Sequence, residues 1–473
     1  MFPLIATGVY CIGIWVLLRL ARDSKRQISP ALWIPVLYLL INGSRPVSMW
    51  LQLQVASSPE QLLEGSPLDA SVALALILAG AVVLLSRRKL VLRIILENPA
   101  LVVFVLYCAI SICWSDYPGV ALKRWVRSLG DFIMVLIMVT EADRIRAIRV
   151  VLTRTAFILI PLSILIIRYY PSLGRSYDRW TGRMFVSGVA ADKNMLGMVL
   201  MVYGLGSLWQ IFLQYQEPRG PKRRRQMIAQ GAVLAMAVWL LTQADSMTSA
   251  SCFLMGALVL AVVSLVKASR KPPLVHCLAI GAVGAAFSVL FLHVGEADVL
   301  HQMGRNSSLT GRTEIWAGLL RFRGSPWIGT GFDSYWLGDR LDHIWAAGGL
   351  LRGINEAHNG YLETYLTLGW VGVALLAVLI VTGYRNVLVA LRRDPEAGKI
   401  RLAFLVIAII YNFTEAGFRI GDPIWFVFLL AITALPASRL ARSSHETAAV
   451  SGGEQRTVGR KLATVSALGT QGA

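Results

Sequence analysis

The chain has 473 residues, of which 56% are hydrophobic, and its mean hydropathy is +0.60. Soluble globular domains rarely reach these values, and apolar runs of about 17 to 23 residues, long enough to span a bilayer, recur along most of the chain. The formal net charge of +19 is carried mainly by short loops between the apolar runs. This distribution is typical of membrane topology and argues against a nucleic-acid partner.

The apolar runs predict an all-α polytopic membrane protein with about 12–13 transmembrane helices and one long periplasmic loop that contains short helices. We expect the helices near residues 3–20, 31–52, 69–86, 98–114, 120–140, 151–170, 190–212, 227–243, 246–266, 273–294, 361–382, 400–414 and 422–436.

Basic and non-basic loops alternate along the chain, which predicts an outer N-terminus and an inner C-terminus. The start lacks a basic n-region, so we expect the first helix to be a retained anchor. Four regions follow from this organisation. They are the N-terminal transmembrane helices 1–294, a long periplasmic loop 295–358, the C-terminal transmembrane helices 359–437 and a disordered cytoplasmic tail 438–473.

Two predicted outer segments break the charge rule because they carry arginines. Arginine forms planar, bidentate contacts with phosphate or carboxylate, so these segments favour recognition of an anion. The arginines of the two segments are Arg168, Arg175, Arg179, Arg183, Arg305, Arg312, Arg321, Arg323, Arg340 and Arg352.

Further basic residues fall inside predicted helices. Arg124, Arg127 and Asp131 are spaced so that they share one helix face, and Arg45 lies toward the outer end of the second helix. Charges at membrane depth usually face a cavity or a partner, although a residue near a helix end can also reach the interface. The pattern predicts a positively charged cavity that is open to the outer face and suits a lipid-linked diphosphate.

The stretch "SSLTGRTEIWAGLLRF" predicts a short helix that begins at Thr310 or Gly311 and lies in the membrane interface. Arg312 would then lie in the first turn, where free N–H groups also favour an anion.

The stretch "EAHNGYLETYLTLGWVG" brings His358, Asn359 and Glu363 to the mouth of an apolar helix. Histidine can act as a general base near neutral pH. Asn359 and Glu363 share a face, and they could orient His358, bind acceptor hydroxyls or pair with arginines. For a metal, Asp339, Asp342 and His343 form the nearest candidate set, but we expect neither a metal nor a cofactor.

Three segments resemble the O-antigen ligases and the O-antigen and exopolysaccharide polymerases of bacteria, and the exopolysaccharide-polymerase branch most. They are "GRMFVSGVAADKNMLG" (182–197), "SLTGRTEIWAGLL" (308–320) and "AHNGYLETYLTLGWVG" (357–372).

The resemblance implies metal-independent, inverting glycosyl transfer on the periplasmic side of the inner membrane, from a glycan on undecaprenyl diphosphate. It implies that Arg183 and Arg312 hold the diphosphate and that His358 is the catalytic base. Lys193 and Asn194 stand where the ligases usually have Pro-Asn, so they are candidate acceptor residues and weigh against a ligase. The resemblance also allows chain-length regulators and export proteins as partners.

Two other functions fit parts of the pattern. One is ligation of finished glycan to lipid A core, which sequence pattern barely separates from polymerisation. The other is a flippase for the same lipid-linked glycan. A flippase would be expected to carry charges along both halves of a central cavity and often shows internal repeats.

Overall fold

The computed structural model describes residues 2–21, 29–52, 65–177, 182, 184–265, 272–291 and 310–436. Within these residues the chain is helical apart from one short antiparallel hairpin and the connecting loops, which confirms the predicted all-α polytopic class. The helices are α1 (Phe2–Ala21), α2 (Trp33–Asn42), α3 (Val47–Trp50), α4 (Pro67–Ser86), α5 (Arg88–Leu96), α6 (Pro99–Ile110), α7 (Pro118–Val139), α8 (Arg144–Tyr169), α9 (Pro171–Gly174), α10 (Lys193–Gln216), α11 (Pro221–Ala244), α12 (Met247–Leu265), α13 (Pro272–Phe291), α14 (Thr310–Leu319), α15 (Gly338–Ala346), α16 (Gly360–Arg393), α17 (Pro395–Tyr411) and α18 (Pro423–Ile432). The hairpin pairs β1 (Arg175–Tyr177) with β2 (Met184–Val186).

Every predicted transmembrane segment contains a helix, but fewer helices are long and apolar enough to span a membrane alone. In the described residues eight helices qualify, or nine if the bent pair α5–α6 is one span. The number of helices that qualify is lower than the predicted number of about 12–13 for two reasons. Helices α2 and α18 have 10 residues each, about 15 Å, which is half the thickness of the hydrocarbon core. Helix α7 carries four charged residues, and α17 also carries charges in its first half.

The short helix α18 is accommodated because protein surrounds it. All ten residues of α18 are buried, as are most residues of α17 and α10. By contrast, α1 has no buried residue. A helix enclosed by other helices does not need to match the bilayer thickness, because its ends meet protein groups and not lipid.

Helix α16 is interrupted at Gly369, whose φ of 63° lies in the left-handed region. The loop before α15 supplies hydrogen-bond partners for the backbone groups at this break. The N–H of Trp370 donates to the carbonyl of Pro326 at 2.9 Å, and the N–H of Val371 donates to that of Trp327 at 3.1 Å. Two carbonyls of the preceding turn accept from the same loop. Lipid cannot hydrogen-bond these groups, so the loop is what makes the break possible.

Replacing Gly369 with alanine is expected to destabilise the protein strongly. A Cβ there would lie 2.3 Å from the backbone carbonyl of Trp327, and a non-glycine residue in the left-handed region costs about 1–2 kcal/mol in addition. Thermal unfolding of the purified protein in detergent measures the effect. Gly281→Ala in α13 is the matched control, because a Cβ at Gly281 meets nothing within 4 Å. An unchanged midpoint for Gly369→Ala would contradict the break described above.

A small apolar core includes residues at the N-terminal end of α16. Its fully or nearly fully buried members are Leu319, Tyr335, Ile344, Ala357 and Leu366. The predicted helix α14 is confirmed, and its Leu319 packs into this core. In addition, the indole N–H of Trp316 donates to the carbonyl of Ala357 at 2.8 Å. The apolar side of α14 is therefore turned toward protein, and this packing brings Arg312 to the side of His358.

Candidate active site

The sequence His358-Asn359-Gly360 begins α16 and fixes it to the loop between α17 and α18. The Oδ1 of Asn359 caps the helix by accepting from the backbone N–H groups of residues 361 and 362 at 3.0 and 2.9 Å. The Nδ2 of Asn359 donates to the carbonyl of Phe413. The N–H of Gly360 donates to the carbonyls of Asn412 and Glu415, each at 3.0 Å. A side chain at Gly360 would collide with Asn412, so only glycine allows this contact.

The loop 412–422 is itself held from two directions. The Oδ1 of Asn412 accepts from the N–H groups of residues 417 and 418. At the other end, the Oδ2 of Asp131 accepts from the N–H of Gly421 at 2.9 Å, while its Oδ1 accepts from the hydroxyl of Tyr38 at 3.0 Å. Asp131 is fully buried. Its charge at membrane depth therefore serves to join α2, α7 and this loop.

His358 lies between two glutamates, and each glutamate meets an arginine. The Nδ1 of His358 is 2.8 Å from Glu356 Oε1 and 3.3 Å from Glu415 Oε2. The second oxygen of Glu415 accepts from Arg312 at 3.0 Å, and that of Glu356 accepts from Arg419 at 2.7 Å. The result is an alternating row of charges, Arg312–Glu415–His358–Glu356–Arg419. Both carboxylates engage Nδ1, so Nε2 is the ring nitrogen that can meet a substrate.

The row of charges shifts the pKa values of its members. Burial lowers the pKa of His358, but the hydrogen bonds and charges of Glu356 and Glu415 outweigh burial and raise it to about 10. Burial raises the pKa of Glu356, but His358 and Arg419 outweigh burial and lower it to about 2. The position of His358 between Glu356 and Glu415 therefore favours the imidazolium form of its ring. The φ of His358 is 49°, a left-handed value that is uncommon for a residue other than glycine.

The first turn of α10 adds a polar wall to this site. Asp192 caps α10 by accepting from the N–H groups of Asn194 and Met195, and burial raises its pKa. The Nδ2 of Asn194 reaches Glu415 Oε2 at 3.4 Å. Lys193 instead lies 3.8 Å from Asp245. Of the two residues predicted together, Asn194 thus contacts Glu415 of the row of charges, whereas Lys193 contacts Asp245.

Glu363 holds the backbone next to His358. One carboxylate oxygen accepts from the N–H of Ala357 at 2.6 Å, and the other accepts from the indole N–H of Trp336 at 2.9 Å. Of the three roles left open by the sequence, orientation of His358 is the one that these contacts support. Glu363 and Arg419 also line a common cavity.

Of the other predicted arginines in the described residues, Arg45, Arg124 and Arg127 do not join the row of charges. Arg183 lies outside the described residues. Arg45 is buried and donates to Ser187 at 2.9 Å, and burial lowers its pKa. Arg124 donates to the carbonyl of Asp333 at 2.6 Å, and Arg127 is exposed. Within the described residues, Arg312 is the predicted diphosphate ligand that joins the row of charges.

Two residues of that row, Glu415 and Arg419, were missed in the sequence. They lie in "NFTEAGFRIGD", between the last two apolar helices. The available signal was three charged residues, Glu415, Arg419 and Asp422, in a short loop between apolar helices. That signal indicates a functional loop, but it cannot name the partner of each charge.

The same arrangement bears on the question of a metal. In the described residues, Glu356, His358 and Glu415 have ligand atoms within 4.8 Å of one another and could hold a metal ion, whereas Asp339, Asp342 and His343 form no such group. The His343 ring instead meets the carbonyl of Asp339. Arg312 and Arg419 form ion pairs with the two glutamates of this group.

These features define a polytopic membrane protein with a row of alternating charges at the start of a broken helix. Comparison with known proteins shows which family part of the chain is similar to. Residues 230–377 match the model of the O-antigen ligase family. The matched residues contain Arg312 and His358. The resemblance predicted from the sequence motifs is thereby confirmed.

The chain is also similar to a curated protein, the exopolysaccharide production protein ExoQ of Rhizobium meliloti (strain 1021). The two are 28% identical over 307 residues, which cover 62% of this chain and 67% of that protein. The family domain and this similarity support a role in polysaccharide polymerisation or ligation.

Proposed function

We propose that the protein is a glycosyltransferase of the bacterial inner membrane that polymerises oligosaccharide repeat units on undecaprenyl diphosphate at the periplasmic face. The observation that carries this proposal is the row of charges centred on His358. It combines a candidate proton acceptor with two guanidinium groups that suit a leaving diphosphate. The similarity to an exopolysaccharide production protein supports polymerisation.

The proposed reaction is a single inverting displacement. The acceptor hydroxyl attacks the anomeric carbon, a new carbon–oxygen bond forms, and the bond to the diphosphate breaks. The hydroxyl proton passes to His358 Nε2, and the diphosphate leaves with the bonding electron pair. Arg312 supports the negative charge that develops on the leaving group, and the family resemblance assigns the same role to Arg183. Glu356 and Glu415 hold the ring through Nδ1, as the carboxylate does in other carboxylate–histidine pairs.

The pH dependence of transfer tests the role of His358. A base must be neutral, and a pKa of about 10 leaves roughly one His358 in a thousand neutral at pH 7. Rate under saturating donor is therefore expected to rise steadily between about pH 7 and pH 9. The groups that face His358 are Glu356, Glu415, Arg312, Arg419 and Asp192, and the pKa of Glu356, about 2, lies well below that window. A rate that falls over the window would assign His358 to stabilising the leaving group as an imidazolium.

One assay with purified protein tests the function. The protein in detergent receives a synthetic lipid-linked repeat unit, with and without EDTA. We expect a ladder of longer lipid-linked products that is insensitive to EDTA. Product that disappears with the chelator would contradict metal-independent transfer and would turn attention to Glu356, His358 and Glu415 as ligands.

Ligation is the second candidate function, because the matched family is described as O-antigen ligase. In the same assay a ligase would give no ladder, and it would give a single new band only when lipid A core is added. Lys193, which stands where ligases usually have proline, does not favour this outcome. Chain-length regulators and export proteins are proposed as partners of the polymerase.

A further inference from the structure

The connection between α10 and α11 carries a dense group of positive charges. Residues between positions 219 and 228 line an open pocket there, with an empty volume of about 1430 Å³ that includes the space open to the surroundings. Four of the lining residues are arginines, namely Arg219, Arg223, Arg224 and Arg225. We call residues 219–228 the basic turn.

The basic turn lies at the membrane face opposite to His358. Both α10 and α11 are long and apolar enough to span a membrane. Helix α10 begins beside the row of charges, where Asn194 contacts Glu415, and its 24 residues extend for about 36 Å. The basic turn follows the other end of α10, so its arginines take no part in the chemistry at His358.

The positive charge of the basic turn is not balanced within the part of the chain that the structure describes. Glu217 is the acid next to the turn, and Arg149 lies 3.9 Å from its carboxylate. Among the described residues, Arg219, Arg224 and Arg225 form no hydrogen bond or ion pair, and all three are exposed. The first turn of α11 also contains no acidic residue. Cations at the start of a helix oppose its dipole, so these charges do not serve the stability of α11 itself.

Exposed apolar side chains border the basic turn. Tyr215, near the end of α10, is 64% exposed, and Ile228, two turns into α11, is 54% exposed. The guanidinium group of Arg223 lies 5.3 Å from the centre of the Tyr215 ring. Such a border is typical of the membrane–water interface, where apolar groups contact lipid chains and guanidinium groups reach the headgroups. An acidic protein segment in water would gain nothing from it.

We propose that the basic turn binds the headgroup of an anionic phospholipid in the leaflet farther from His358. Guanidinium groups suit phosphate oxygens because they donate two parallel hydrogen bonds, and an anionic membrane surface attracts each nearby arginine. The proposal does not depend on the proposed function, because this lipid does not react and does not enter the candidate active site.

Thermal unfolding of the purified full chain in a neutral detergent tests the proposal as a binding measurement. The protein is titrated with dioleoylphosphatidylglycerol, dioleoylphosphatidylcholine, inorganic phosphate or polyglutamate. The variant Arg224→Gln/Arg225→Gln removes two exposed charges of the basic turn. Arg392→Gln/Arg393→Gln is the matched control, because these adjacent arginines are also exposed and lie at the end of α16 that is farther from His358. The unfolding midpoints without lipid confirm that both variants are folded.

We expect phosphatidylglycerol to raise the unfolding midpoint of the wild type in a saturable way and phosphatidylcholine to leave it unchanged. Arg224→Gln/Arg225→Gln is expected to weaken the apparent affinity for phosphatidylglycerol roughly 10–30-fold, because each arginine contributes to the attraction. The control variant should keep the wild-type affinity. High salt should weaken binding to the wild type, since exposed charges are screened.

Four outcomes would overturn the proposal. An equal loss of affinity in both double variants would assign binding to the general positive charge of that membrane face. Equal stabilisation by phosphatidylcholine would assign it to the acyl chains. Stabilisation by inorganic phosphate or by polyglutamate that matches that of phosphatidylglycerol would identify a soluble anion or an acidic protein as the ligand. These measurements need no glycan transfer, so their failure is distinct from failure of the product-ladder assay.

Discussion

Replacing His358 with alanine is expected to lower glycan transfer by roughly 10²–10⁴-fold, while the protein stays folded and still binds its lipid-linked donor. The imidazole is 30% exposed and belongs to no apolar cluster, so its loss removes a reacting group and not a core residue. Product ladders with the synthetic lipid-linked repeat measure the effect. Binding of a labelled undecaprenyl diphosphate measures the affinity for the donor lipid separately.

His343→Ala provides the matched control for this variant. His343 lies in the same long loop, and its ring contacts only the neighbouring carbonyl of Asp339 among the contacts of the described residues. We expect this variant to produce a normal ladder. The proposed role of His358 is wrong if the His358→Ala variant makes polymer of normal length. This holds for purified protein and for cells that lack the wild-type protein.

Replacing Glu415 with glutamine is expected to reduce transfer by roughly 10²-fold or more, because one carboxylate serves three partners. It accepts from Arg312, contacts His358 Nδ1 and meets the amide of Asn194. The glutamine keeps the shape but loses the charge. Arg312 then loses its ion pair, and the ring of His358 loses one of the two groups that orient it.

A shift of the pH–rate profile distinguishes this role from a structural one. Removing one of the two neighbouring carboxylates lowers the pKa of His358, so the rise in rate should begin at lower pH in Glu415→Gln. Glu314→Gln is the control, since Glu314 is an exposed residue of α14 two positions from Arg312. If Glu415→Gln keeps wild-type activity and an unchanged pH–rate profile, the Arg312–Glu415 ion pair does not contribute to transfer.

The site depends on four segments that are distant in the chain. They are the first turn of α10, the first turn of α14, the start of α16 and the loop 412–422. The backbone N–H of Gly360 holds the last two together, and the carboxylate of Asp131 holds the loop 412–422 to α7. Glu363 fixes the residue before His358. Precise placement of the ring is therefore provided by groups that take no part in proton transfer, as expected of a preorganised site.

Much of this protein could be predicted from the order of its residues. Apolar runs of bilayer length determine the helical membrane class, because lipid leaves backbone groups no partner outside a helix. Local patterns also predicted the short helix that carries Arg312 and the polar start of α16 at His358. These features depend on neighbours within one or two turns, and the sequence records such neighbours directly.

The partners of those residues were decided by tertiary structure alone. His358 and Glu415 are 57 positions apart, and they meet because Gly360 admits Asn412 at close range. The break at Gly369 depends on carbonyls of a loop some forty residues earlier, at Pro326 and Trp327. Arg45, Arg124 and Asp131 looked alike as charges in apolar helices, yet each found a different partner. An ion pair forms where packing brings two groups together, and the spacing of residues along one helix does not contain that information.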